Sequence, residues 1–357
     1  MRICYFGTYD PVYTRNRLMI QGLKENGVEI IECRVKQTRH RLKKYLELVN
    51  LHRKIKKNGN YDIMVVGFAG HAIMPLAWIL AGLNGKKVIL DLFVSEYDSV
   101  ILDRKAYSKY SLQALKFWAM DRLACVLADL CLLDADEHIN YFAGFFKIKK
   151  SKFKTILLSV DQNIFYPEER TDETKFVVHY HGSYSPIQGV KYIVKAAELL
   201  KNHTDIIFNI IGKESNHQKE INMSRELRLK NINFLGYMTY EKLADTIRNS
   251  DVVLGMFGDT EKALHCSAYK IIEGFACRKP VVTGDTPALR EIVKDKENGL
   301  FCRMADPRDL ADKIMVLKND PDLRNKIAES GYQFCQKYLT PKATAGNLLS
   351  VINQMLK

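Results

Sequence analysis

Ser267–Ile292 reads SAYKIIEGFACRKPVVTGDTPALREI, a helical stretch, a short buried strand PVV and a polar turn in succession. A helix opening near Ser267 offers free backbone N–H groups and the positive end of its dipole, a setting that suits a phosphate or diphosphate. Lys270 falls in its first turn, and Glu273 follows three residues later on the same side. A carboxylate only accepts hydrogen bonds, so Glu273 is suited to vicinal hydroxyls such as those of a ribose. The plainer reading is an exposed amphipathic helix with a Lys/Glu pair.

Working outward, the same alternation of apolar run and helical pattern fills the chain. RICYFG leads through the polar turn TYDPVYT into RNRLMIQGLKENG, and VEIIECRV, DIMVVGF, KVILDLF and ADLCLLD follow as strands. A second series runs FVVHYHG, IIFNIIG, INFLGY, DVVLGMF and PVVTG, with helices such as VKYIVKAAELLKNH and YEKLADTIRNS between. Continuous apolar strands joined by helices predict parallel sheets covered on both faces. The fold class is therefore α/β, with two Rossmann-like, doubly wound domains. The expected boundaries are 1–166 for the first domain, 167–174 for a polar linker, 175–340 for the second domain and 341–357 for a closing helix. Ligands of such sheets bind at the carboxyl ends of the strands, so a cleft between two such domains is the expected site.

At 357 residues the chain is long enough for two cores. No apolar run reaches the roughly 18 residues needed to cross a bilayer, and the start MRICYFGTYD does not resemble a signal peptide. Eight scattered cysteines without a C-x-x-C pair fit reduced thiols in the cytoplasm. Of the net charge of +13, +9 lies in residues 1–170, concentrated in RVKQTRHRLKKYLELVNLHRKIKKNG. Such a run attracts phosphate on lipid, nucleic acid or substrate. Only Tyr45 interrupts it with an aromatic ring, which argues against a nucleic-acid partner.

The ordered set SAYKIIEGFACRKPVVTGDTPALREI with ENGLF resembles the donor-site signature of glycosyltransferase family 4, the retaining GT-B enzymes that use nucleotide sugars. TILLSVDQNIFYP, HGSYSPIQGVKYIVKAAELL, FNIIGKE, INFLGYMTYEKLADTIRNSDVVLGMF and NGLFCRMADPRDLADKI resemble further landmarks of that family in the same order. The resemblance implies that Glu273 holds the nucleotide ribose and that Lys270 belongs to a K-x-x-E variant of the motif. Gly182, Ser183, Gln188, Gly236, Tyr237, Lys262, His265 and Ser267 then fall at donor-binding positions. Many members carry two glutamates separated by seven residues, the first of which falls here at His265. Where members place an arginine and a lysine beside the diphosphate, this chain has Ser183 and Gln188, leaving Lys270, Lys262 and the helix start to supply positive charge.

In the first domain, His71 and Asp98 each follow a strand and are candidates to orient or deprotonate an acceptor hydroxyl. Tyr9, Asp10, Arg15 and Arg17 surround a helix start and are candidates for the acceptor, the arginines for a phosphate on it. The string Asp134-Ala135-Asp136 is read as helix capping rather than a metal site, so no metal or cofactor is expected. The expected activity is transfer of a hexose-type sugar from a nucleoside diphosphate to an acceptor hydroxyl, with retention, on a lipid-linked or cell-surface glycan precursor. A nucleotide-sugar binder without catalysis, an epimerase or a phosphorylase would share the cleft, and donor consumption with and without acceptor separates these. Leu42, Tyr45, Leu46, Val49 and Ile55 recur at near-helical spacing among Lys/Arg, and FFKIKKSKFK sets Phe145, Phe146 and Phe153 among lysines. Both clusters predict docking of the first domain on the anionic inner face of a membrane.

Overall fold

The computed structural model describes residues 1–36, 41–57, 59–170, 174–213 and 218–357. These residues form two compact units, Met1–Ser159 with Pro341–Lys357, and Val160–Thr340. The first unit contains β1 (Arg2–Gly7), β2 (Glu29–Arg34), β3 (Ile63–Val66), β4 (Val88–Asp91), β5 (Leu130–Leu133) and β6 (Phe153–Thr155). They form one parallel sheet in the order β2-β1-β3-β4-β5-β6. IMVV, VILD and LCLL are buried at every residue because both faces of the sheet are covered. One face packs on α2 (Arg41–Lys57), α3 (Met74–Gly82), α4 (Leu112–Leu127) and α5 (Asp136–Phe145). The other packs on α1 (Thr14–Glu25) and on α12 (Pro341–Leu356), whose Ala345, Leu348 and Ile352 join Met19, Ile20 and Leu23 in the core.

The second unit contains β7 (Phe176–His181), β8 (Ile206–Ile211), β9 (Ile232–Leu235), β10 (Val252–Leu254), β11 (Val281–Gly284) and β12 (Leu300–Cys302), parallel in the order β12-β11-β10-β7-β8-β9. Its helices are α6 (Val190–Leu199), α7 (Gln218–Glu226), α8 (Tyr240–Arg248), α9 (Tyr269–Ala276), α10 (Pro307–Asn319) and α11 (Pro321–Tyr338). Val178 and Tyr180 of β7 face the core built with α6 and α10. The period of two along a strand turns His179 and His181 to the opposite face.

Several expectations are amended. Each sheet gains a three-residue edge strand, β6 and β12, too short to leave a pattern of its own. The compact units meet at Ser159/Val160, and 341–357 belongs with the first unit. The expected linker falls within the span of the second unit, and its residues 171–173 lie outside the described residues. The opening helix starts at Tyr269, with Ala268 as N-cap. In Asp134-Ala135-Asp136 the N-cap residue of α5 is Ala135, with Asp136 and Glu137 in the first turn; Asp134 Oδ1 lies 2.7 Å from His138 Nδ1, and Asp136 accepts from Thr155 Oγ1. The apolar stripe of α2 is divided. Tyr45, Val49 and Ile55 pack on the sheet beside buried Leu48, while Leu42 and Leu46 are 81% and 64% exposed. Phe146 and Phe153 are core residues and Phe145 packs against them, so FFKIKKSKFK presents lysines without an apolar face. All eight cysteines are buried and unbridged.

Candidate functional site

In the second sheet β7 is followed by β8 on one side, while β10 lies on its other side. The connections leaving β7 and β10 therefore diverge, which opens a crevice at their carboxyl ends. The loop after β7 begins at Gly182, with φ 145°, and closes at Gly189, with φ 66°. A Cβ on Gly189 would stand 2.5 Å from the Gly258 nitrogen and the Phe257 carbonyl carbon, so a side chain there is excluded on both counts. Backbone bonds lock the two loops together: Phe257 N donates to Gln188 O at 3.2 Å and Gly258 N to Ile187 O at 3.1 Å.

From the second of these connections α9 carries Lys270 and Glu273 inward, 5% and 4% exposed. Lys270 Nζ donates to Gln188 Oε1 at 2.5 Å and lies 5.2 Å from the centre of the Tyr180 ring. It also closes on Gly182, where a Cβ would meet Lys270 Cε and Nζ at 3.2 Å. Burial lowers the Lys270 pKa to about 8, against a smaller upward pull from Glu273. Gly182, Gln188, Lys270 and Glu273 are thus brought together, and Gln188 contacts the lysine rather than the space before it. Ser183 is exposed, with its Oγ 3.2 Å from Ser185 Oγ. Lys262, His265 and Ser267 are half-buried on the connection between β10 and α9. Gly236 and Tyr237 leave β9 at the sheet edge, two strands from β7.

Glu273 is also held from behind. His181 Nε2 lies 2.7 Å from its Oε2, and His181 Nδ1 lies 2.9 Å from His179 Nε2. A carboxylate cannot donate, so the His181 Nε2 carries the proton. His179 Nδ1 is buried without a hydrogen-bond partner among the described residues. A bare nitrogen there strands one lone pair, whereas a proton would strand a donor, the rarer and costlier defect. His179 therefore donates from Nε2 to His181 Nδ1. Burial keeps the His179 pKa well below its ordinary value, so this ring is neutral at pH 7. Oε2 of Glu273 thus already accepts one hydrogen bond, from His181.

The first unit repeats the arrangement, with its switch between β1 and β3. Phe68 N donates to Asn16 Oδ1 at 2.9 Å, and the Tyr13 and Phe68 rings stand 5.0 Å apart. Arg15, expected to meet a phosphate from solvent, is buried on Asp91 at the end of β4. Nη2 reaches Oδ1 at 2.9 Å and Nε reaches Oδ2 at 3.1 Å, while Nη1 donates to Ile156 O. Arg17 is half-buried on the same helix. Tyr9 is buried and donates to Glu32 Oε2 at 2.8 Å, while exposed Asp10 accepts from Val12 N. His71 is buried after β3, 3.9 Å from Asp121 Oδ1, and burial lowers its pKa. Burial raises the pKa of Asp121 to about 6, against hydrogen bonds from Ser95 Oγ and Tyr97 N. Asp98 accepts from Tyr141 OH at 2.7 Å.

Residues 161–334 match the family model described as Glycosyl transferases group 1. HepE from Anabaena, solved in complex with UDP, is 14% identical, with 99% of each chain covered and a TM-score of 0.72. Sucrose-phosphate synthase from Thermosynechococcus elongatus is also 14% identical over 99% of each chain, at a TM-score of 0.78. The fold is GT-B. An uncharacterized glycosyltransferase of Methanocaldococcus jannaschii is 28% identical over 197 residues, 55% of this chain and 52% of that protein. An alpha-D-kanosaminyltransferase of Streptomyces kanamyceticus is 27% identical over 158 residues, 43% of this chain and 39% of that protein. The chain thus spans about half the length or less of these curated relatives. In this GT-B chain, sequence reasoning missed His179 and His181. The signal was present in FVVHYHG: two histidines one residue apart on a strand share a face, and that face meets the helix bearing Glu273.

Proposed function

We propose that the protein is a glycosyltransferase that binds a nucleoside diphosphate sugar in its second unit and transfers the sugar to an acceptor hydroxyl. The observation that carries this reading is the convergence of Gly182, Lys270 and Glu273 at the β7/β10 switch, inside the segment that matches Glycosyl transferases group 1. Lys270 and the first N–H groups of α9 face the departing diphosphate, and a cation in a water-poor site stabilises the charge that develops there. Glu273 Oε1 takes a ribose hydroxyl. The acceptor oxygen bonds to the sugar on the face from which the diphosphate departs and gives its proton to the leaving phosphate, so the sugar is transferred with retention and without a protein nucleophile. Asp134 and Asp136 are already committed to His138 and Thr155, and transfer is expected to proceed in EDTA.

Glu273→Ala is expected to weaken donor binding by roughly 1 to 3 kcal/mol, the range for losing a charged hydrogen-bond partner. Calorimetric titration with a panel of nucleoside diphosphates and their sugars measures it. Wild-type affinity in this variant would remove Glu273 from the donor site.

The acceptor in this reading is a lipid-linked or surface glycan precursor met at an anionic membrane. The support lies in the helical layer of the first unit. α3 is apolar all round yet leaves Trp78 and Ile79 exposed, with exposed Leu83 at its C-cap, and α2 adds Leu42 and Leu46. Exposed Lys43, Lys109 and Lys116 lie on and beside this layer. Scattered apolar residues are ordinary on a surface, but an apolar helix with cations at its borders matches an interfacial surface. Among the described residues no helix is long and apolar enough to cross a membrane.

A further inference from the structure

The Lys/Glu pair of α9 stands at the spacing at which opposite charges on a helix ordinarily meet. Here they do not. Lys270 turns to Gln188, Glu273 turns to His181, and the two form no ion pair with each other. A lysine collapsed onto a glutamate would present a neutralised couple to a ligand. Held apart, the same residues present a cation and a carboxylate at separate places.

We infer that His181, backed by His179, is a positioning residue that fixes the Glu273 carboxylate away from Lys270 and leaves Oε1 for the donor. This rests on the reading of Glu273 as the ribose ligand. The geometry is unusually committed: two rigid rings on the central strand β7, joined at 2.9 Å, end on the carboxylate at 2.7 Å. The chain also ends badly for stability, since His179 Nδ1 is buried without a partner among the described residues. A pair kept only for packing would do better as two apolar side chains, which leave no buried polar atom unsatisfied.

The test compares His181→Ala, His181→Gln, Glu273→Ala and the double variant His181→Ala/Glu273→Ala. The probe is whichever of UDP, GDP, dTDP and ADP the wild type binds most tightly by calorimetry. His181→Ala is expected to weaken binding about tenfold, with a melting temperature close to wild type. His181→Gln, which keeps an N–H donor, is expected to recover most of that loss. In the Glu273→Ala background, His181→Ala is expected to cost less than about twofold more, because the group it positions is gone. Full additivity, or wild-type affinity in His181→Ala beside a weakened Glu273→Ala, would overturn the inference while leaving the ribose reading intact. Wild-type affinity in Glu273→Ala would remove the ribose reading and this inference with it. If His181→Ala does not fold, imidazole nitrogen NMR of the wild type decides. Protons on Nε2 of both rings support the arrangement, and a proton on Nδ1 of neutral His181 sinks it.

Discussion

Lys270 is a lysine held close to its point of deprotonation. Burial lowers its pKa to about 8, and an arriving diphosphate would raise it again by supplying a neighbouring negative charge. The sign of the linkage follows. Donor affinity is fully present below the pKa of the free protein and is lost as pH rises through 8 toward the pKa of the complex. Titrations of the tightest-binding nucleoside diphosphate at pH 6.5, 7.5, 8.5 and 9.5 are expected to show a falling affinity that Lys270→Ala lacks, since that variant has no proton to lose. Arg15 tells the opposite story. Its fork-like pairing with Asp91 occurs in the interior, and Arg15→Met leaves the carboxylate there uncompensated. We expect a loss of about 3 to 5 kcal/mol in a denaturant titration, largely restored by adding Asp91→Leu. Unchanged stability with weakened acceptor binding would return Arg15 to the acceptor site.

The elements were legible where their patterns were long. The ten strands expected from apolar runs are present, and the plainest of them, β3, β4 and β5, are apolar nearly throughout because both faces are covered. The short edge strands β6 and β12 were not legible: FKT at β6 carries no period, and its place is set by pairing with β5. The helical pattern of α2 was recognised, but its orientation was not, since Leu48 and His52 decide which side turns inward. Glu273 and Lys270 could be read from one segment, whereas the partners that orient them come from β7 and its loop, more than 80 residues earlier. Side chains joined by topology leave no local spacing to read. At this scale Gly189→Ala tests the loop. A side chain at φ 66° whose Cβ meets the backbone of Gly258 is expected to cost about 1 to 3 kcal/mol and to displace Gln188 from Lys270. Thermal melting and donor titration read the two effects, and an unperturbed loop would show neither.

Across the whole molecule, the distribution of charge makes the first half the attractive one for anionic partners, with +9 of the +13 in residues 1–170. Flotation with anionic and neutral vesicles tests the membrane reading. Binding is expected to anionic vesicles at low salt, to fall at high salt, and to fall also in Trp78→Glu. Failure to float with either vesicle at low salt would remove it.

The return of α12 to the first unit has a consequence for the order in which the protein is made. On the face of the first sheet that α1 covers only in part, the rest stays open until Ala345, Leu348 and Ile352 have left the ribosome. All of Val160–Thr340 is synthesised in the meantime, an interval of roughly ten to forty seconds at ordinary elongation rates. The later domain can complete its core while the earlier one waits with apolar surface open, so nascent-chain protection by chaperones should be needed most at the segment made first.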